Sequence, residues 1–557
     1  MRRPTVLAAV TALALAGLPV AAQAAPSATP TPSPGPDLSR YYTQKIKWGT
    51  CEQAEGLPKS QRDGVQCGKV TVPLDYAKPA GDSVDLAMIR IKSSAHGKPR
   101  GSLLLNFGGP GGAGVSALLG AQKEFSYLGK GYDVVSFDPR GVGLSDPVSC
   151  GDAASDVDPT DSGTADAGER AENDPTGILA DLRKAAAQCA KDSGPVLPYV
   201  GTVNVSRDMD VMRQALGDKK LNYLGFSYGT RLGAVYAAQF PKKVGRVVLD
   251  GVDTLTEDVA EQARVSAEGR QTALDNFLTW CTGNAGCVFG TNARTARTAM
   301  TKLVKDMDET PLQSLDGEQF TGQDLVSVLG QALYSRQAWP ALSQALGGLM
   351  ADGDPRALIR MGGALAQQAT ASPTGPARPT DPTQPTGSTH PTDPTQPTGS
   401  TRPTVSPDKI PADNMTAALM AVNCADDPDR PATARLEREI PRLTEEFEQT
   451  SPVFGRSMLI PVLLCYGRPA GTDYIREDVR DVDTPHRFLL VGTRGDPATP
   501  YRWAEETAKR LGSQAVLLDN KGDGHTGYLG SKCVREKVNS YLLYGEMPAN
   551  GSSCAAE

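Results

Sequence analysis

Residues 225–229 read Gly225-Phe226-Ser227-Tyr228-Gly229, a serine with a glycine two places away on either side. An apolar run, Leu221 to Leu224, precedes it, and a helical pattern, Thr230 to Gln239, follows. A chain that leaves a strand and enters a helix this quickly turns too tightly for bulky side chains, which is why glycines flank the serine. The turn exposes Ser227 Oγ at a helix N-terminus, where the backbone dipoles favour negative charge. A hydroxyl so placed is suited to nucleophilic attack, but at neutral pH it needs a base to take its proton. The chain offers four histidines. His390 lies in a polar repeat, His96 in the polar loop Ala95-His96-Gly97-Lys98-Pro99, and His486 just before a strand, at the wrong end for a site at the carboxyl edge of a sheet. His525 remains, on the glycine-rich loop Gly522-Asp523-Gly524-His525-Thr526-Gly527 after the last strand.

An imidazole base needs a carboxylate to fix its tautomer and stabilise its charged form. Asp496, in Gly495-Asp496-Pro497-Ala498-Thr499-Pro500, follows a strand's carboxyl end and is preferred. Two competitors remain: Asp250, which ends the strand Val247-Val248-Leu249, and Asp523, two residues before His525 and too close in sequence to face its ring. The order Ser227, Asp496, His525 is the one a strand-turn-helix nucleophile uses. The oxyanion formed on attack needs N–H groups already aimed at it. Phe107-Gly108-Gly109-Pro110-Gly111-Gly112 follows the strand Ser102 to Leu105 and supplies a backbone free of side chains. We assign one donor to Gly109 and the other to Tyr228. A phosphate-binding loop is the rival reading, but the run lacks the Lys-Ser/Thr of a P-loop and the spacing of GxGxxG before a long helix. The chemistry expected is acyl transfer with no metal and no cofactor. Asp138-Pro139-Arg140-Gly141-Val142-Gly143-Leu144-Ser145 is read as a structural turn buttressing the oxyanion loop.

These residues require a sheet to hold them. Apolar, β-branched segments at Lys69–Leu74, Val84–Ile91, Ser102–Phe107, Asp133–Phe137, Leu221–Gly225, Arg246–Asp250, Arg487–Val491 and Ala515–Leu518 predict strands. Helical patterns at Val205–Leu216 and Thr230–Gln239 lie between them, which predicts an α/β fold with a mostly parallel sheet. Residues 255–480 break the rhythm with helices at Val259–Thr282 and Asp324–Met350, and are read as a helical cap inserted between two strands. The expected organisation is therefore a first core segment 41–254, the cap 255–480, and a last core segment 481–557. Within the cap, residues 372–407 are rich in Pro and Thr, and a twelve-residue unit, Arg378 to Thr389, recurs from His390 to Thr401 with one change. It is too polar to stack into a solenoid and reads as a flexible tether or lid loop.

Arg2 and Arg3, the apolar run Val6–Val20 and the small residues Ala22 and Ala24 form a secretory signal peptide, residues 1–24, and residues 25–40 a Pro-rich disordered leader. Cleavage moves the net charge from -7 to -9. No later stretch is long and apolar enough for a bilayer, so the expectation is an extracellular protein without membrane insertion, its attachment to a cell wall left open. The 10 cysteines suit an oxidising compartment, and none forms a CxxC pair. Spacing does not fix connectivity, but short loops cost least to close, so neighbours are paired: Cys51 with Cys67, Cys150 with Cys189, Cys281 with Cys287, Cys424 with Cys465, and Cys533 with Cys554. The acidic balance, 57 basic against 64 acidic residues, excludes a nucleic-acid partner. A monomer is expected.

From Val72-Pro73-Leu74-Asp75-Tyr76 through GGPGG, DPRGVGLS, GFSYG and GTRGDPATP to GDGHTGY, the chain resembles the proline iminopeptidase and tripeptidyl aminopeptidase group of the α/β-hydrolase fold, most closely its secreted bacterial branch. Phe107 departs from the pattern, since the iminopeptidases carry His there, and the Pro/Thr repeat has no counterpart. The resemblance implies a serine exopeptidase acting on peptides with a free N-terminus, whose ammonium is held by carboxylates of the cap. Asp426 and Asp427, in Asn423-Cys424-Ala425-Asp426-Asp427, are the candidates. An esterase or lipase with the same triad is the alternative, because the triad does not distinguish amide from ester. An inactive wall-associated binding protein is the other.

Overall fold

The computed structural model describes residues 36–55, 57–151, 173–313, 319–370, 401–402, 405–469, 479–480 and 482–557. The expected signal peptide, most of the leader and most of the Pro/Thr repeat lie outside the described residues.

Nine strands form the body of one sheet: β1 (Val65–Pro73), β2 (Ser83–Ile91), β3 (Ser102–Asn106), β4 (Asp133–Phe137), β5 (Leu221–Phe226), β6 (Val244–Asp250), β7 (Phe488–Gly495), β8 (Ala515–Asp523) and β9 (Ser553–Cys554). Their order is β1-β2-β4-β3-β5-β6-β7-β8-β9, with a tenth, two-residue strand at Thr401–Arg402 beside Ser83 and Val84. The pairs β1/β2 and β2/β4 are antiparallel and the others parallel. The central strands are apolar throughout because both faces are covered. Leu104, Tyr223 and Leu249 pack on one face, whereas Leu103, Leu105, Leu224 and Val248 pack on the other.

The helices used below are α1 (Gly114–Gly120), α2 (Pro175–Asp192), α3 (Thr202–Ala215), α4 (Tyr228–Gln239), α5 (Val259–Thr282), α6 (Ala293–Glu309), α7 (Gly322–Ala332), α8 (Trp339–Asp352), α9 (Arg356–Thr370), α10 (Asn414–Asp426), α11 (Thr433–Thr450), α12 (Tyr501–Leu511) and α13 (Lys532–Tyr544). Helices α5 to α11 lie in sequence between β6 and β7, which are neighbours in the sheet. Part of this insertion has its own core, in which Phe277, Leu325, Leu329, Trp339, Leu342 and Phe454 pack together.

One expectation changes. The pattern Asp324–Met350 is two helices, α7 and α8, separated by residues 333–338. Pro340 explains the break: it lacks an N–H and clashes inside a helix, but is tolerated in the first turn, where it stands in α8. The ten cysteines form the five neighbour-to-neighbour disulfides. One of them ties Cys424 near the end of α10 to Cys465. Among the described residues no helix is long and apolar enough to cross a membrane.

The turn after β4 is a buried polar knot. The Arg140 guanidinium pairs with Asp208 of α3 at 2.6 and 2.8 Å and donates to the carbonyls of Pro73 and Leu74. Asp138 accepts from Val115 at the start of α1 and from Leu144, so the turn does brace the helix that follows the glycine-rich loop. Burial raises Asp138 to about 6, against the pull of those N–H groups. Replacing Arg140 by Met would leave Asp208 buried without its guanidinium partner, with the Tyr76 hydroxyl its remaining hydrogen bond. We expect a loss of about 3–5 kcal/mol in denaturant unfolding; a loss below about 1 kcal/mol would mean that the pair does not brace the turn.

Candidate active site

Three described non-glycine residues have positive φ, and two of them belong to this site: Ser227 at 54° and Thr526 at 67°. Such backbone costs about 1–3 kcal/mol each and persists only where neighbours over-determine it. At Ser227, its N–H donates to the Asp250 carbonyl at 2.9 Å, and its own carbonyl accepts from the Thr230 N–H and hydroxyl at 2.8 and 2.7 Å. The hydroxyl therefore sits at the tip of a pinned turn, at the N-terminus of α4. The oxyanion-loop candidate lies directly on this turn. A Cβ on Gly108, whose φ is +88°, would fall 2.5 Å from the Phe226 carbonyl and 3.0 Å from Ser227 Cβ, so only glycine allows the approach. Gly109 follows it, and Tyr228 is the first residue of α4, whose N–H has no partner within the helix. Phe107 finds an aromatic neighbourhood instead of a polar one. It stacks on Phe226 at 5.9 Å and meets Phe125 edge-on at 5.8 Å, and Phe125 stacks on Tyr528 at 5.5 Å.

His525 Nδ1 lies 2.9 and 3.1 Å from the two carboxylate oxygens of Asp496. Asp496 is fully buried and also accepts the N–H groups of Ala498, Thr499 and Thr526 and the Thr499 hydroxyl. Burial would push its pKa up, but the charge and hydrogen bond of His525, with those N–H groups, hold it below the ordinary aspartate value. Burial would likewise pull His525 down. The charge and hydrogen bond of Asp496, with the charges of Asp250 and Asp253 beyond it, outweigh this and hold the imidazole above its ordinary value.

Neither competing carboxylate bonds to the ring. Asp523 accepts from Asn276 of α5 at 2.8 Å and from Arg336 at 2.9 Å. Asp250 sends its two oxygens to the N–H groups of Gly527 and Tyr528 at 2.8 and 2.7 Å. It thus joins the serine turn to the histidine loop. Its burial raises it to about 6, offset in part by those two N–H groups.

Asp426 and Asp427 have different surroundings. Asp426, at the end of α10, accepts from the Thr202 N–H at 2.8 Å and lies 3.7 Å from Arg231 of α4. Arg231 also pairs with Asp253 at 3.0 Å, and the Thr202 hydroxyl meets the Tyr228 hydroxyl at 2.6 Å. Asp426 also accepts from the Thr202 hydroxyl, so Thr202 links it to Tyr228, the residue next to Ser227. Asp427 instead lines a cleft of about 180 Å³ with Asp258, Asp429, Arg435 and Glu439, whose walls include neither Ser227, Asp496 nor His525. The sequence reading missed Thr499, Arg231, Asp253 and Tyr334. Thr499 was accessible to it, since an Asp followed three residues later by Thr favours a local side-chain turn. The others depend on packing of the insertion against the sheet.

The chain matches the family model described as alpha/beta hydrolase fold over residues 101–404, and that described as TAP-like protein over residues 451–554. It is 31% identical to a tripeptidyl aminopeptidase of Streptomyces lividans, covering 100% of this chain and 97% of that protein. It is 30% identical to the serine protease Hip1 of Mycobacterium tuberculosis strain H37Rv, covering 92% and 91%. It is also 30% identical to a carboxylesterase B of Mycobacterium tuberculosis strain CDC 1551, covering 98% and 96%.

A base must be unprotonated to act, so kcat/KM should rise with pH along an acid limb centred above the ordinary histidine value of 6.5. Asp253→Asn removes a negative charge that favours the imidazolium, which lowers the His525 pKa and should move that limb to lower pH. A pH profile of wild type and variant checks both statements; a limb that stays or moves upward would contradict them.

Proposed function

The chain belongs to the α/β-hydrolase fold family, and from that premise we propose that it is an exported serine exopeptidase that releases short peptides from free N-termini. The observation that carries the reading is the His525 Nδ1 to Asp496 hydrogen bond of 2.9 Å, on a loop that Asp250 joins to the Ser227 turn. In this mechanism Asp496 keeps the proton on Nδ1, leaving Nε2 free to take the proton of Ser227 as its Oγ attacks the scissile carbonyl. The N–H groups of Gly109 and Tyr228 receive the oxyanion. His525 then protonates the leaving amine, and water, activated in the same way, hydrolyses the acyl-enzyme.

Asp426 and Asp253 are the groups we assign to the substrate ammonium. Together with Arg231 they form a nearly buried set with one positive and two negative charges. Such a set, one turn from Ser227, favours a cation. Asp427, facing the other cleft, is left out of this assignment. Five disulfides suit an oxidising compartment and support export. We also propose that the insertion between β6 and β7 is a distinct cap, because it carries a hydrophobic core of its own. The esterase reading keeps one support, the likeness to a carboxylesterase, and uses the same triad.

The test is a tripeptide p-nitroanilide with a free N-terminus beside its N-acetylated form. The free amine should be cleaved and the acetylated peptide spared, with Ser227→Ala lowering kcat by about 10⁴-fold or more. Equal cleavage of both would remove the ammonium site. Ester hydrolysis alone would replace the peptidase with the esterase.

A further inference from the structure

Three consecutive residues of the histidine loop are gripped from the insertion. Asp523 accepts one hydrogen bond on each carboxylate oxygen, from Asn276 of α5 at 2.8 Å and from Arg336 in the α7–α8 break at 2.9 Å. The Cα of Gly524 lies against the Tyr334 carbonyl, only 2.9 Å from where a Cβ would stand. His525 donates its backbone N–H to that same carbonyl at 2.9 Å, and the Tyr334 ring stands edge-on to the imidazole at 5.0 Å. A helix running unbroken through 324–350 would have used the Tyr334 carbonyl in its own ladder. The break frees it, and the break is where the sheet's histidine loop docks.

Stability alone accounts poorly for this arrangement. Arg336 is 37% exposed against 12% for Asp523, and an ion pair open to water on one side adds little to folding, about 1 kcal/mol at most. Its geometric effect is larger. The next residue after His525, Thr526, holds positive φ, a conformation that relaxes unless contacts on both sides fix it. The Gly495 carbonyl, Asp496 and Asp250 hold the loop from the sheet side. Asn276, Tyr334 and Arg336 hold it from the insertion.

We propose that Asp523 is a positioning residue, a clasp through which the inserted helices hold His525 in register with Ser227. The inference rests on His525 being the base. The insertion is then part of the catalytic geometry as well as a cover for the substrate, and any movement that lifts the α7–α8 break also releases the base.

The test compares Arg336→Ala, Asn276→Ala, Asp523→Asn and the double variant Arg336→Ala/Asp523→Asn. The readouts are kcat and KM on a peptide substrate and the rate at which a small fluorophosphonate labels Ser227. The clasp predicts that each single variant labels about tenfold more slowly and loses kcat to match, with KM within about twofold, and that the double variant is no worse than the singles. A purely electrostatic influence on His525 would act otherwise, since Arg336→Ala removes a positive charge and Asp523→Asn a negative one. Opposite changes in the two variants, or wild-type labelling rates in all of them, would overturn the clasp. So would a rise in KM with kcat unchanged. The Arg336 side chain is part-exposed and lies outside the insertion's apolar core, so its variant should fold, and an unchanged thermal midpoint confirms that the lost rate is positional. Failure of wild-type protein to label at Ser227 would count against the triad itself, and so stays distinguishable from failure of the clasp.

Discussion

The site depends on one buried carboxylate that does no chemistry. Ser227, Asp496 and His525 lie on segments far apart in sequence, and Asp250 touches the surroundings of all three. Its carbonyl holds the Ser227 N–H, its carboxylate holds the N–H groups of Gly527 and Tyr528, and the N–H of its neighbour Gly251 donates to Val491 on the strand leading to Asp496. Burying an ionised carboxylate is costly unless its oxygens are hydrogen-bonded, and here each oxygen has a backbone donor. Burial raises Asp250 to about 6, and its negative charge favours the imidazolium of His525. Position and electrostatics come from the same residue, through its backbone carbonyl and its carboxylate.

Around that link the molecule holds two strained residues, Ser227 and Thr526, and removes their freedom from several sides. The glycine-rich loop lies on the serine turn at a distance that excludes a Cβ, and the aromatic set of Phe107, Phe125, Phe226 and Tyr528 joins that loop, the turn and the histidine loop in apolar contact. The inserted helices complete the enclosure, reaching α4 through Asp426 and Arg231 and the histidine loop through Tyr334 and Arg336. Preorganisation of this kind is what lets N–H donors and a neutral imidazole act without rearranging as charge develops.

Much of this was legible in the sequence, and the division follows range. The parallel strands could be read because a sheet buried on both faces leaves continuous apolar runs, and GFSYG because the turn it encodes is local. His525 followed from elimination among four histidines and Asp496 from its place after a strand; the structure joins these two by a hydrogen bond. What stayed hidden was tertiary. The pattern 324–350 hid its interruption because helical periodicity continues across it, and only Pro340 hinted at the break. Asp250 and Asp523 could be recognised as carboxylates near the site, but their true partners are backbone N–H groups and side chains of the insertion that no spacing reveals. Asp426 and Asp427 are adjacent in sequence yet turn toward different surroundings.

The central claim is that a covalent acyl-enzyme forms on Ser227 with His525 as its base. It is tested most directly by trapping that intermediate with a carbamate that is released slowly, then locating the added mass by peptide mapping. The account predicts one adduct per chain, on Ser227, absent in Ser227→Ala and formed far more slowly in His525→Ala. An adduct on another residue, or undiminished hydrolysis by Ser227→Ala, would contradict it.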